Sequence, residues 1–180
     1  LSAGGSATLA VLGYADTGGR GIIAASEDTG AFTDYIFGDG MISEVTSGAI
    51  ADGSWGAKPS PSAELQAAWE VVATAGGVDG KGVYSGESYD AMALIILAAQ
   101  AAGSTDRAAI QAEVMNVANA PGNKCHAGKL GECLKMISGG LPVDYVGATG
   151  VELDAVGTPN GSYAEQEVIA GAFTTVTVHN

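Results

Sequence analysis

Residues 7–40, ATLAVLGYADTGGRGIIAASEDTGAFTDYIFGDG, decide the fold, because strand, helix and second strand follow one another there without a break. Ala7 to Leu12 is a continuously apolar run ending at Gly13, the pattern of a strand buried on both faces of a parallel sheet. The polar turn YADTGG opens a helix whose inner side carries Ile22, Ile23 and Ala25 and which ends near Gly30, where a left-handed cap needs no Cβ. Tyr35 to Phe37 is the second strand. Strand, helix and strand within about thirty residues make a right-handed βαβ unit, so the expected fold is α/β with ligand binding at the carboxyl ends of the strands. Tyr14 and Asp39 lie just past those two ends.

The rest of the composition limits what this unit belongs to. At 180 residues and 47% hydrophobic, the chain can bury a real core. Seven basic against twenty acidic residues give a net charge of −13, and the cations are scattered, so a nucleic-acid backbone or anionic membrane is repelled. The longest apolar run, Ala91 to Ala102, contains Gln100 and falls short of the roughly twenty residues a spanning helix needs. No nucleic-acid partner and no membrane insertion are expected. The front end, LSAGG, has neither an initiator Met nor a basic-then-apolar leader and reads as the end of a helix, as if the chain had been cut.

Cys125 and Cys133 are the only cysteines, in a Gly-rich loop, KCHAGKLGEC, that is able to close on itself. A local disulfide is the economical reading, and it would argue for an oxidising compartment such as a periplasm. The alternative is a metal held by both cysteines and His126. Neighbouring Cys and His rarely point at one ion, however, and nothing else completes a ligand set.

Further along, MISEVTSGAIADGSWGAKPSPS predicts one short helical turn at most and a strand at Ser54 to Ala57. Ser60 with Pro61 predicts a helix start, and Leu65, Ala68, Trp69 and Val72 repeat as one buried stripe before Gly76 and Gly77 stop it. ESYDAMALIILAAQAAG is the strongest helix, with Glu87 and Asp90 in its first turn, where carboxylates meet the positive end of the dipole. Another helix begins at Ser104, carries Ile110, Val114 and Val117 on one face, and ends at Pro121. A short helix near Leu134 to Ile137 follows the cysteine loop. Tyr163 to Ile169 and Phe173 to Val178 read as a β-hairpin.

Three kinds of chemistry compete for these residues. Gly19-Arg20-Gly21-Ile22-Ile23-Ala24 matches the GxGxxG/A dinucleotide fingerprint, with acidic Asp39 eighteen to twenty residues on, but YADTG separates it from the strand it should follow directly. The plainer reading is that these glycines allow a close turn and close helix packing. Gly86-Glu87-Ser88-Tyr89-Asp90 begins like a hydrolase elbow and has Asp where the last Gly is required. Neither His126 nor His179 is placed as a general base. Tyr14 and Asp39 suit an ammonium group: the carboxylate supplies charge and hydrogen bonds, the ring cation–π attraction and apolar cover. Taken alone, an acid after a strand is usually a turn residue or cap.

The order of GYADTGG, IFGDGM, GSWGAKPS, YDAMALIILAAQAAGS and DYVGATGVELDAVGTPNGSY resembles the carboxyl-terminal half of periplasmic type 1 substrate-binding proteins of the branched-chain amino acid (Leu-Ile-Val type) ABC transporters, over nearly the whole chain. That resemblance implies two Rossmann-like lobes that close on a ligand, with residues 1–82 in the second lobe, 83–160 returning to the first, and the hairpin within 161–180 going back to the second. It places Asp39 at the acid that meets the ligand's α-ammonium, Tyr14 at an aromatic of the cleft wall and Tyr89 at an aromatic that closes from the first lobe. Asp16 and Thr17 would add polar contacts from the same turn as Tyr14. Where the family favours Glu, this chain has Asp39, shorter by one methylene. The groups that bind the ligand's carboxylate would lie in the other half of such a protein. Without the strands of that half, a helix over residues 89–102 would expose Met92, Ile95, Ile96 and Leu97.

The function implied is that of a periplasmic solute-binding component of an ABC importer, with no catalysis and no cofactor. Its ligand would be an amino acid, branched-chain or another small aliphatic, and its partner the transporter's membrane permease. A dinucleotide-dependent Rossmann enzyme domain built on GRGIIA is the alternative, and a ligand-sensing receptor module of the same fold is the third reading.

Overall fold

The computed structural model describes residues 8–42 and 52–179. In chain order the elements are β1 (Thr8–Val11), a 3-10 turn (Ala15–Thr17), α1 (Gly19–Thr29), β2 (Asp34–Phe37), a second 3-10 turn (Asp39–Met41) and β3 (Trp55–Pro59). Next come α2 (Ala63–Ala75), α3 (Ser85–Ala102), α4 (Arg107–Ala118), β4 (Asn123–His126), α5 (Leu130–Ser138), β5 (Val143–Gly147), β6 (Tyr163–Ile169) and β7 (Ala172–His179). The expected helix end at LSAGG and most of the expected helical turn after Asp39 lie outside the described residues.

The chain divides into two compact units, one formed by the described residues up to Pro59 together with those from Ser162 onward, the other by Ser60–Gly161. The boundary between these compact units falls at 59/60. The reason is α2, whose Trp69 and Ala73 pack with Ala148 and Tyr89 of the second unit.

In the first unit a five-stranded sheet runs in the order β1-β2-β3-β6-β7. β1, β2 and β3 are parallel neighbours, while β6 and β7 join antiparallel to β3 and to each other. The βαβ unit and the hairpin thus stand as the sequence predicts. The hairpin turns through Ala170 and Gly171, whose φ values of 52° and 78° are the two left-handed residues of a tight primed turn. Val11, Ile23, Tyr35, Phe37, Met41 and Val168 form the core, closed by Phe173 edge-on to Phe37 at 5.5 Å.

Two expectations change here. Among the described residues β1 lies at the edge of the sheet, with Ala10 exposed and only Val11 buried, so it is not covered on both faces. α1 turns Ile23 and Ser26 inward and leaves Ile22 and Ala25 outside. A serine suits that inner face because the buried Tyr35 hydroxyl donates to its oxygen at 3.2 Å, satisfying both groups where water is absent.

In the second unit α3 and α4 pack together over the parallel pair β4–β5, with α5 alongside. Ala93, Leu97, Ala98, Val117, Ala118, Val143 and Tyr145 fill this core. Cys125 on β4 and Cys133 on α5 are joined by a disulfide with Cα atoms 6.0 Å apart, and both are wholly buried. The Gly-rich loop is therefore strand and helix, with a short turn between them. Met92, Ile95 and Ile96 are exposed, whereas Leu97 is buried, because the face of α3 carrying Ala93 and Leu97 is the one turned to the core.

The caps shift too. Ser62, not Ser60, caps α2, accepting from the Leu65 amide at 3.4 Å, and the seam of that helix runs through Trp69 and Ala73 while Ala68 is exposed. Asp106 caps α4, accepting from the amides of Ala108 and Ala109 at 3.0 and 3.1 Å, so that helix starts after the expected Ser104.

Candidate functional site

The first unit brings the carboxyl ends of β1 and β2 side by side. Val11 pairs with Phe37, and the Gly38 amide donates to the Val11 carbonyl at 3.4 Å. Each strand then breaks into a 3-10 turn. After β1, the Tyr14 carbonyl accepts from the amides of Thr17 and Gly19 at 3.3 and 3.1 Å, which fixes the backbone and leaves the ring 66% exposed. After β2, the Asp39 carboxylate accepts from the Gly40 amide at 2.8 Å and its carbonyl from the Ile42 amide at 3.1 Å.

Glycines and one methionine hold the two turns together. A Cβ on Gly40 would lie 2.5 Å from the Gly13 carbonyl oxygen and 2.7 Å from Cδ1 of Tyr14, so the Tyr14 ring rests against bare backbone next to Asp39. A Cβ on Gly19 would collide with the sulfur of the fully buried Met41. Tyr14 and Asp39, far apart in sequence, thus become neighbours on adjoining turns. Leu12, Gly13, Tyr14, Thr17, Gly18 and Ile22 line a shallow groove of about 520 Å³ along the end of β1.

The remaining site candidates fare differently. Thr17 is exposed and lines the groove. Asp16 is exposed and forms an ion pair with Arg20 one helical turn on, at 2.6 Å, so its charge is already matched. Tyr89 lies in the second unit, on α3. Its ring packs on Trp69 with centroids 5.0 Å apart, and its hydroxyl accepts from the Gly128 amide at 3.0 Å.

An aromatic that sequence reasoning missed stands five residues earlier. Tyr84 precedes the first turn of α3 with φ 63°, left-handed backbone that costs a non-glycine residue of order 1 kcal/mol or more, and its ring is 39% exposed. Backbone strain of that kind concentrates at functional positions. Nothing in KGVYSG announces it, since the conformation comes from the loop before the helix.

The competing motifs resolve into packing. Gly19 begins α1 and is there to admit Met41, Gly18 supplies a left-handed turn at φ 118°, and no atom crowds Gly21. Gly86 to Asp90 lies inside α3, so it is not the strand-to-helix elbow a nucleophilic serine requires. Asp90 has a different part. It is 3% exposed, and its carboxylate accepts from the Tyr145 hydroxyl at 2.8 Å, the Ala148 amide at 2.8 Å, and the amide and hydroxyl of Thr149 at 2.9 and 2.7 Å. Burial, then the Asp90 charge, pushes the Tyr145 phenol far above its ordinary range, so it stays a donor. A Cβ on Gly147, at φ 63°, would lie 2.6 Å from the Tyr145 ring. This cluster sets the loop after β5.

The architecture is α/β, with candidate ligand groups at strand carboxyl ends. No protein-family model matches the sequence, and no curated protein does. Among solved structures, the chain is similar to the leucine-binding protein LivK of Thermotoga maritima, with a TM-score of 0.62 and 18% sequence identity. The match covers 97% of this chain and 45% of that one, so this chain spans less than half the length of its neighbour. No helix among the described residues is long and apolar enough to cross a membrane.

Proposed function

We propose that this chain is part of a periplasmic solute-binding protein that captures an amino acid, branched-chain or another small aliphatic, and delivers it to the membrane permease of an ABC importer. The observation that carries this reading is the packing of the Tyr14 ring on Gly40, the residue after Asp39, at the ends of two adjacent parallel strands. A carboxylate beside an exposed ring attracts an ammonium by charge and by the ring's negative face, and the ring excludes water from the pair. Thr17 supplies a hydroxyl at the groove edge. The Tyr89 ring and hydroxyl are already engaged by Trp69 and Gly128. An anion, a ring and a hydroxyl are groups that suit binding of an ammonium. A buried disulfide is consistent with an oxidising compartment.

The test is Asp39→Asn, titrated by calorimetry with L-leucine, L-valine and L-isoleucine. Loss of the charge facing a desolvated ammonium costs about 2–5 kcal/mol, tens- to thousands-fold in affinity. Unchanged dissociation constants would return Asp39 to the status of a turn residue.

A further inference from the structure

Leu12 is the most conspicuous side chain that the reading above leaves unused. It follows the last residue of β1 and is 82% exposed, so it contributes almost nothing to the core. Its Cδ2 lies 3.5 Å from where a Cβ on Gly38 would stand, which lays the side chain along the backbone leading into Asp39. The Tyr14 ring rests on Gly40, the residue after Asp39. The residues on either side of Asp39, Gly38 and Gly40, thus each lie against an exposed apolar side chain sent across from the end of β1. Leu12, Tyr14 and Ile22, 53% exposed, also line one groove. Single exposed apolar residues are ordinary, but several gathered in one concave place mark a surface that is covered when a ligand binds.

We propose that Leu12 is a specificity-determining residue: it forms the wall that selects ligands whose ammonium group is attached to an aliphatic chain over those that carry the ammonium alone. The inference rests on the reading of Asp39 as the ammonium acceptor. A small hydrated cation or glycine gains from the carboxylate but leaves Leu12 and Ile22 wet. A ligand with a hydrocarbon branch gains the same charge contact and also removes those apolar surfaces from water, a gain proportional to the area covered.

The experiment is a calorimetric titration of the full chain and its Leu12→Ala and Asp39→Asn variants with glycine, L-alanine, L-valine and L-leucine, with circular dichroism to confirm an unchanged fold. Leu12 is exposed, so its truncation removes wall and not core. The wild type is expected to bind leucine and valine more tightly than glycine. Leu12→Ala should lower the affinity ratio of leucine to glycine about tenfold, the effect of losing one side chain's worth of covered apolar area. A ratio unchanged within about twofold, with Asp39→Asn still weakening every ligand, overturns the assignment of Leu12 and leaves Asp39 standing. Asp39→Asn without effect on any ligand overturns the reading on which the inference rests, and a wild type that binds none of the four overturns both.

Discussion

Replacing Asp90 by alanine should destabilise the second unit more than any other single polar change in it. Asp90 accepts four hydrogen bonds, from the Tyr145 hydroxyl, the Ala148 amide and both donors of Thr149. Thr149 is only partly buried and can turn to water, but the Tyr145 hydroxyl and the Ala148 amide are enclosed and would lose their acceptor with nothing to replace it. Each orphaned buried donor costs about 1–3 kcal/mol, so Asp90→Ala is expected to remove about 3–5 kcal/mol. That is a large fraction of the roughly 5–15 kcal/mol that holds a domain folded. Asp90→Asn keeps one acceptor oxygen and turns an amide N–H2 toward donors, so its cost should fall between wild type and Asp90→Ala. Tyr145→Phe removes one donor along with its need and should cost only about 1 kcal/mol. Urea unfolding followed by circular dichroism measures all three, and combining Asp90→Ala with Tyr145→Phe should cost less than the sum of the two, since they share a bond. A loss below about 1 kcal/mol for Asp90→Ala would refute the argument, because water would then have to reach donors that the structure encloses.

Two further outcomes follow from the second unit. Mass spectrometry without reduction should find Cys125 and Cys133 joined, and replacing both by serine should cost about 2–3 kcal/mol, the entropy of closing a short ring in the unfolded chain; two free thiols in freshly purified protein would contradict the pairing. The folded chain should also lose stability in alkali. The Tyr145 phenol lies above its ordinary 10.0 through burial and the Asp90 charge, and Lys124 lies above its ordinary 10.5 chiefly through its hydrogen bond to Asp144. Groups that hold their protons more tightly when folded contribute fully below those ordinary values and lose the contribution as pH rises past them. Stability measured in urea should therefore be insensitive to these groups near neutrality and fall from about pH 10 upward, with a shallower fall in Tyr145→Phe.

Local chemistry determined much of this protein before any tertiary contact was known. The apolar run of β1, the helix stopped at Gly30, the second strand before Asp39, the hairpin turning at Ala170-Gly171 and the stripe of Ile110, Val114 and Val117 all depend on neighbours a few residues away. Tyr14 and Asp39 were legible as candidates for the same reason, since strand ends are read from local pattern. What could not be read depended on partners far along the chain. Asp90 looks like a helix-dipole acid until residues 145–149 fold over it, and its role is then burial with a full set of donors. The cysteine loop became β4 and α5 because β4 pairs with β5, about twenty residues later. Ile22 and Ile23 are indistinguishable by composition, and only the angle at which α1 meets the sheet buries one and exposes the other. Tyr89 and Tyr84 separate for a similar reason: Trp69 and Gly128 take up the first, while the loop before α3 holds the second in left-handed backbone. Periodicity reports which residues share a face; which face meets the core, and which acid meets its donors, is settled only when distant segments pack, because burial and hydrogen-bond satisfaction are properties of the assembled neighbourhood.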